Sequence, residues 1–185
     1  GGFLTKQDQN KINTQVAYTS DNYHLSATYS RQQGWNSWSY YSTKDLATNA
    51  DALTSDSDSV ALRAWWRPEE TGTATPSISV GYDTMSFSGR TDVAEGSGYF
   101  VGLNWANMFQ PDDRIGIALG QPMKATKAAS GATLSEVDPF LWEVYYSFRP
   151  NDSIEVTPAI FGGNDVEDST ADDIFGAVLT TTFKF

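Results

Sequence analysis

Cysteine is absent from the 185 residues, and histidine occurs once, at His24. The lack of cysteine excludes a disulfide framework, a thiolate nucleophile and a cysteine-based zinc site. Basic residues are also few, with 12 Lys plus Arg against 23 Asp plus Glu and a formal net charge of −11. Because nucleic-acid binding needs a basic footprint, this balance excludes nucleic acid as a partner.

Long apolar runs are missing too, since no stretch approaches the roughly 18–20 residues that a membrane-spanning helix requires. Apolar and polar residues instead alternate along most of the chain. A period of two is typical of β-strands whose faces meet different environments. The whole pattern predicts about nine strands, of which the first is the weakest. The clearest run is C-terminal, where one face holds Phe175, Ala177, Leu179, Thr181, Phe183 and Phe185.

The predicted connections alternate between short and long. Asp, Asn and Pro predict short turns at residues 20–22, 111–113 and 150–152. A medium connection is predicted at 68–75, and long loops are predicted at 33–57, 88–97, 121–137 and 162–173. Counted back from the C-terminus, every long loop falls at the same end of the sheet. Outer-membrane barrels have this arrangement, with short periplasmic turns and long external loops.

The predicted fold class is therefore all-β, a transmembrane antiparallel up-and-down β-barrel. Strands of about ten residues suit a tilted bilayer span, and aromatic residues near strand ends suit the headgroup level. Alternation alone leaves two alternatives open. One is a soluble carbohydrate-binding or adhesive β-sandwich, whose apolar face would form a core. The other is a small structural barrel that does not conduct.

The C-terminal part of the chain carries two further motifs. Residues 145–161 contain a short Asn-Asp turn followed by Ile-Glu-Val-Thr-Pro, and the chain ends Thr-Thr-Phe-Lys-Phe. These motifs resemble the C-terminal end of cyanobacterial outer-membrane porins of the carbohydrate-selective (OprB-type) family. In that family a short Asn-Asp turn precedes an I-x-V/I-T-P strand, and the last strand ends Thr-Thr-Phe-x-Phe.

The resemblance implies a channel in the cell outer membrane, rather than an enzyme, that passes small polar solutes or inorganic ions by passive diffusion. It implies that residues 1–185 are the C-terminal portion of a single, larger barrel domain. Phe183 and Phe185 would then belong to the signal read by the outer-membrane assembly machinery. The expected partners are outer-membrane lipid, the transported solutes and further copies of the chain, as in a trimer. Whether a peptidoglycan-binding domain precedes Gly1 stays open.

Charged side chains on the predicted lumen-facing side of the strands are the candidate functional residues. Rings of such charges set the field, and therefore the selectivity, of a pore. Glu155 and Lys184 lie on adjacent predicted strands, which favours an ion pair between them. The predicted pore-lining residues are Arg63, Arg67, Asp83, Glu143, Arg149, Glu155 and Lys184.

Two loops offer other candidates. The aromatic group in the longest loop suits either contact with sugar rings or packing of that loop against the barrel rim. The acidic loop at 164–173 has oxygen ligands for Ca²⁺ but lacks the spacing of a known calcium loop. No nucleophile elbow or phosphate loop is present, so no catalytic residue, cofactor or metal is expected. The loop aromatics are Trp35, Trp38, Tyr40 and Tyr41.

Overall fold

The computed structural model describes residues 10–33, 46, 55–134, 138–165 and 173–184. Nine strands lie within these ranges and form a single antiparallel sheet. Among the described residues, no helix is both long and apolar enough to cross a bilayer. The strands are β1 (Asn10–Thr19), β2 (Tyr23–Gln33), β3 (Asp56–Trp66), β4 (Ser77–Ser88), β5 (Val93–Ala106), β6 (Arg114–Ala128), β7 (Phe140–Asn151), β8 (Ile154–Asn164) and β9 (Ile174–Phe183).

The predicted all-β, up-and-down architecture is confirmed. Each strand pairs with the next one in the chain, so consecutive strands form simple hairpins and β1 and β9 are the two edges. The shortest strands have 10 residues and the longest has 15, which suits a tilted crossing of a bilayer. The described residues form one sheet, whereas a soluble sandwich needs two sheets packed face to face. The fold therefore agrees with a portion of a porin barrel.

Two of the predicted long loops have the wrong bounds. The loop predicted at 88–97 is only residues 89–92, and the loop predicted at 121–137 is residues 129–139. The reason is that β5 and β6 continue to pair beyond their predicted ends, with Val93 opposite Ala128. The predicted medium connection is residues 67–76, longer than 89–92, so the strict alternation of connection lengths fails at this pair.

The register separates the sheet into two faces, of which we call the apolar one the outer face. Its side chains are largely uncovered, with Val16 74% and Leu179 67% exposed. In the described part of the chain, the buried hydrophobic residues are only Leu46, Val93 and Ala159. A soluble protein would bury such a face, whereas lipid covers it in a membrane barrel. One row across this face holds Tyr18, Leu25, Ala64, Val80, Val101, Leu119 and Trp142.

The opposite face, which we call the inner face, mixes charged, small and a few aromatic residues. Small residues in a barrel wall leave room for water, as a channel lining requires. Two neighbouring rows of this face matter for the site. The first row holds Ser26, Arg63, Gly81, Phe100, Gly120, Leu141 and Gly163, and the second holds His24, Trp65, Ser79, Gly102, Ala118, Glu143, Phe161 and Gly176.

Candidate lumen-facing site

An ion pair joins β3 and β4 on the inner face. The Arg63 guanidinium Nη2 lies 2.8 and 2.7 Å from the two carboxylate oxygens of Asp83. Its Nη1 also donates to the carbonyl of Leu62 at 2.8 Å. Both side chains are partly exposed, so solvent screening leaves the pair with little effect on stability. Its effect is local, because it fixes a positive and a negative charge beside each other on the wall of the predicted lumen.

Aromatic rings on this face lie over glycines of the neighbouring strands. A Cβ atom at Gly81 would come within 2.2 Å of the Phe100 ring, and one at Gly176 within 2.4 Å of the Phe161 ring. The glycines therefore make room for rings that cover the backbone of the next strand. Both rings still contact solvent, since Phe100 is 40% and Phe161 36% exposed.

The middle part of the two rows lines a concavity of about 790 Å³ on the inner face. The lining residues from these rows are Arg63, Phe100, Gly120, Leu141, Ala118, Glu143 and Phe161. Gly120 and Ala118 lie two residues apart on β6, and these small residues line its middle. Phe100 and Leu141 flank Gly120 in one row, while Glu143 follows Ala118 in the next. The Glu143 side chain is exposed and, within the described residues, has no hydrogen-bond or ion-pair partner.

The structure divides the predicted pore-lining residues into two groups. Arg63, Asp83 and Glu143 lie together around the concavity. The remaining four lie at the end of the sheet that carries the connections 20–22, 67–76, 107–113 and 152–153. At that end, the Nε atom of Arg67 donates to the carbonyl of Asp21 at 2.7 Å.

The predicted ion pair between Glu155 and Lys184 is replaced by another. Glu155 accepts a hydrogen bond from Nε of Arg149 at 3.1 Å, and Arg149 also lies 3.5 Å from Asp112. The register explains this change. Glu155 lies opposite Thr182 on β9, and Lys184 is two residues farther toward the C-terminus. The backbone N–H of Lys184 donates to the carbonyl of Ser153 at 2.9 Å.

Asp113 organises the connection between β5 and β6, a role that its sequence context did not reveal. It is fully buried and accepts hydrogen bonds from the backbone N–H groups of Met108 at 2.7 Å, Phe109 at 2.9 Å and Gln110 at 3.1 Å. The hydroxyl of Tyr146 donates a fourth at 3.1 Å. Burial alone would raise the pKa of Asp113, but these donors stabilise the charged form and hold the pKa below its usual value.

Arg90 organises the opposite end of the inner face. Its buried guanidinium donates from Nε and Nη2 to the two oxygens of Asp92, at 2.8 and 2.7 Å, and from Nη1 to the carbonyl of Leu46 at 3.3 Å. It also lies 4.6 Å from the centre of the Phe87 ring. The hydrogen bond from Arg90 lowers the pKa of Asp92. Because Leu46 also borders the concavity, Arg90 attaches this point of the 34–55 connection to the inner face.

Several predicted residues lie outside the described part of the chain. They include the aromatic group of the longest loop and the terminal aromatic, together with residues 166–172 of the acidic loop. Phe183 is described, and it is an exposed outer-face residue opposite Ile154. The residues outside are Trp35, Trp38, Tyr40, Tyr41 and Phe185.

Comparison with known proteins adds one family and one relative. The family model described as "Carbohydrate-selective porin, OprB family" matches residues 6–185. A protein of Nostoc sp. (strain PCC 7120), described as uncharacterized protein alr4550, is 32% identical over 142 residues. That alignment covers 76% of this chain but 24% of the relative, so the chain spans about a quarter of the relative's length. No solved structure matches.

Proposed function

The chain belongs to the carbohydrate-selective porin (OprB) family, and from this membership we propose that it forms part of the wall of a water-filled channel. Members of the family are outer-membrane proteins, so the cell outer membrane is its location. The proposed activity is passive diffusion of small polar solutes, with carbohydrates as the class that the family description favours and inorganic ions as a further class. The family is one of channels rather than of enzymes.

The contrast between the two faces of the sheet is the observation that supports this function best. The outer face exposes large apolar side chains such as Val16, Leu179 and Phe175. The inner face carries charges and glycines around a concavity. A sheet that is apolar on one side and carries charged and small residues on the other fits a boundary between lipid and a water-filled lumen. Solutes would then be sorted by the width of the lumen and by its lining charges.

The two edge strands of the sheet formed by the described residues support the proposal that further strands complete the barrel. A closed barrel has no edge strands, and an exposed edge within a bilayer would leave backbone groups without hydrogen bonds. In this sheet β1 and β9 are edges. We therefore assign residues 1–185 to the C-terminal portion of a larger barrel domain, surrounded by outer-membrane lipid. Assembly into trimers and recognition of Phe183 and Phe185 by the assembly machinery belong to the same proposal.

Reconstitution of the full-length protein into planar lipid bilayers tests the channel function. We expect stepwise increases of current in KCl as single channels insert, with a linear dependence on salt concentration. Liposome swelling in isotonic glucose provides a parallel measurement of sugar passage. Protein denatured by heating in detergent serves as the control. Native protein that inserts into the bilayer without conducting steps would identify the non-conducting structural barrel instead.

A further inference from the structure

Glu143 is isolated from the other charges of the inner face. It is exposed on β7 and has no hydrogen-bond or ion-pair partner among the described residues. Ala118 on β6 and Phe161 on β8 lie directly opposite it, and Leu141 and Tyr145 are its neighbours on the same face of β7. The diagonal positions on β6 and β8 hold only glycine and alanine. The inner-face positions that surround Glu143 in the sheet therefore carry no charge of either sign.

The other charges that line the concavity are compensated or distant. The guanidinium of Arg63 and the carboxylate of Asp83 form a close ion pair, so their fields largely cancel beyond the pair. Lys11 lies on the edge strand β1, which β2–β6 separate from β7. Among the described residues that line the concavity, Glu143 is therefore the carboxylate that no neighbouring positive charge neutralises.

The wall beside Glu143 allows an ion to approach the carboxylate. Ala118, directly opposite on β6, is small and exposed, so it leaves the carboxylate open to the solvent of the lumen. A barrel wall embedded in lipid has a low dielectric constant, and such a wall concentrates the field of a lining charge in the water beside it. Carboxylates in this position attract cations and repel anions, which is how acidic side chains favour cations in channels.

We propose that Glu143 determines a preference of the channel for small inorganic cations over anions. The carboxylate raises the local concentration of cations in the concavity and lowers that of anions. Arg63 and Asp83 line the same concavity but contribute little to this preference, because they neutralise each other. The inference rests on the proposed channel function and adds to it a discrimination among ions by the sign of their charge.

Reversal potentials of the full-length protein in planar lipid bilayers test the role of Glu143. The bilayer separates two dilute KCl solutions of different concentration, because concentrated salt would screen the carboxylate. The permeability ratio of K⁺ to Cl⁻ is calculated from the voltage at zero current. We expect Glu143→Gln, which keeps the shape of the side chain but removes its charge, to lower this ratio about fivefold, equivalent to about 1 kcal/mol, the energy between unit charges about 4 Å apart in water. Glu143→Asp keeps the charge and should keep the ratio close to that of the wild type.

Two further measurements distinguish a local charge from a structural role. Glu69→Gln is the matched control, because Glu69 is exposed in the 67–76 connection, outside the strands, and this change should leave the ratio unaltered. In concentrated KCl, where salt screens the lining charges, Glu143→Gln should have the single-channel conductance of the wild type. A changed conductance in concentrated salt would show that the substitution alters the width of the lumen, which contradicts a purely electrostatic role.

Glu143→Ser, a smaller neutral substitution, should give the same decrease of the ratio and decides the question if Glu143→Gln fails to assemble. Variants that conduct with the wild-type ratio overturn the role of Glu143 and leave the channel function standing. An equal decrease in Glu69→Gln overturns it as well, because the preference would then follow the net charge of the protein. Absence of any wild-type current contradicts the proposed function itself.

Discussion

At the scale of single residues, Asp113 shows how one buried carboxylate orders a connection between strands. It accepts three backbone hydrogen bonds within residues 107–113 and a fourth from Tyr146 on β7. The same connection contains Asn107 and Asp112 with positive φ angles of 59° and 64°, a conformation that Asn and Asp tolerate better than most residues. The carboxylate therefore holds a strained turn in place and ties it to the neighbouring hairpin.

The lowered pKa of Asp113 predicts a loss of stability in acid. A carboxylate with a folded-state pKa below its unfolded value of about 3.9 stabilises the fold above that pH. This contribution disappears as the pH falls through the folded-state pKa. Urea unfolding of the full-length protein in detergent micelles can be followed by tryptophan fluorescence. We expect a lower urea midpoint at about pH 3 than at about pH 6.

Asp113→Asn isolates this contribution because it keeps the shape of the side chain and removes its charge. The variant should have a lower urea midpoint at pH 6 and a smaller decrease on acidification than the wild type. Asp112→Asn is the matched control, since that neighbouring side chain is 69% exposed and, in the described part of the chain, forms an ion pair with Arg149 alone. Equal acid sensitivity of the wild type and Asp113→Asn would contradict the role assigned to Asp113.

At the scale of strands, aromatic rings and glycines form matched pairs across the inner face. Gly116 on β6 faces Tyr145 on β7, and a Cβ atom at Gly116 would come within 2.0 Å of the tyrosine ring. The hydroxyl of Tyr145 in turn accepts a hydrogen bond from Asn104 on β5 at 2.8 Å. One ring therefore spans three strands, and the glycine in the middle strand is what allows it to do so.

Gly116→Ala should therefore destabilise the sheet by forcing the Tyr145 ring away from β6. We expect a cost of about 2 kcal/mol in urea unfolding, as for the insertion of a methyl group into a closely packed site. In Tyr145→Ala the space above Gly116 is free, so adding Gly116→Ala to that variant should cost little. The double-mutant cycle measures the coupling between the two positions. Additive effects of the two changes would show that the ring does not constrain the glycine.

The bounds of β5 and β6 show where alternation fails as a predictor of strands. The Gly-Ser-Gly at residues 96–98 has the composition of a loop, yet it pairs with β6 through Lys124 and its neighbours. Register shifts between Val93 and Glu95, Glu95 and Gly96, and Ser97 and Tyr99 change which face each residue occupies. A bulge interrupts the period of two, so a strand that contains bulges no longer looks like one in the sequence.

At the scale of the whole molecule, the face of the sheet on which each site residue lies can be predicted from the sequence. Alternation predicts that Arg63, Asp83 and Glu143 share one face, and all three line one concavity in the structure. Alternation does not identify Phe100 and Phe161 as lining residues of the concavity. An aromatic residue at a position of the polar face looks like an exception to the pattern. What indicates such an inward-facing ring is the glycine opposite it on the neighbouring strand. The pairing of the strands must be known before that glycine can be recognised.

Other parts of the molecule depend on contacts between segments that are distant in sequence. Arg90 donates a hydrogen bond to the carbonyl of Leu46, which lies 44 positions away in the sequence. No local sequence pattern indicates that either residue makes this contact. The replacement of the Glu155–Lys184 pair by Glu155–Arg149 likewise depends on which diagonal neighbour a long side chain can reach. Alternation determines the face of a residue, whereas side-chain partners depend on register and on turns.

The central claim is that the inner face lines water and the outer face meets lipid, and the absence of cysteine from these 185 residues makes it directly testable. Single cysteines at Ser26 and Ala118 on the inner face, and at Ala27 and Leu119 on the outer face, form matched adjacent pairs on β2 and β6. In a full-length protein without other cysteines, each is exposed to a charged, membrane-impermeant methanethiosulfonate during bilayer recording. We expect modification to reduce the current of Ser26→Cys and Ala118→Cys and to leave that of Ala27→Cys and Leu119→Cys unchanged. Equal reaction at both members of a pair, or reaction at the outer-face positions alone, would contradict the account.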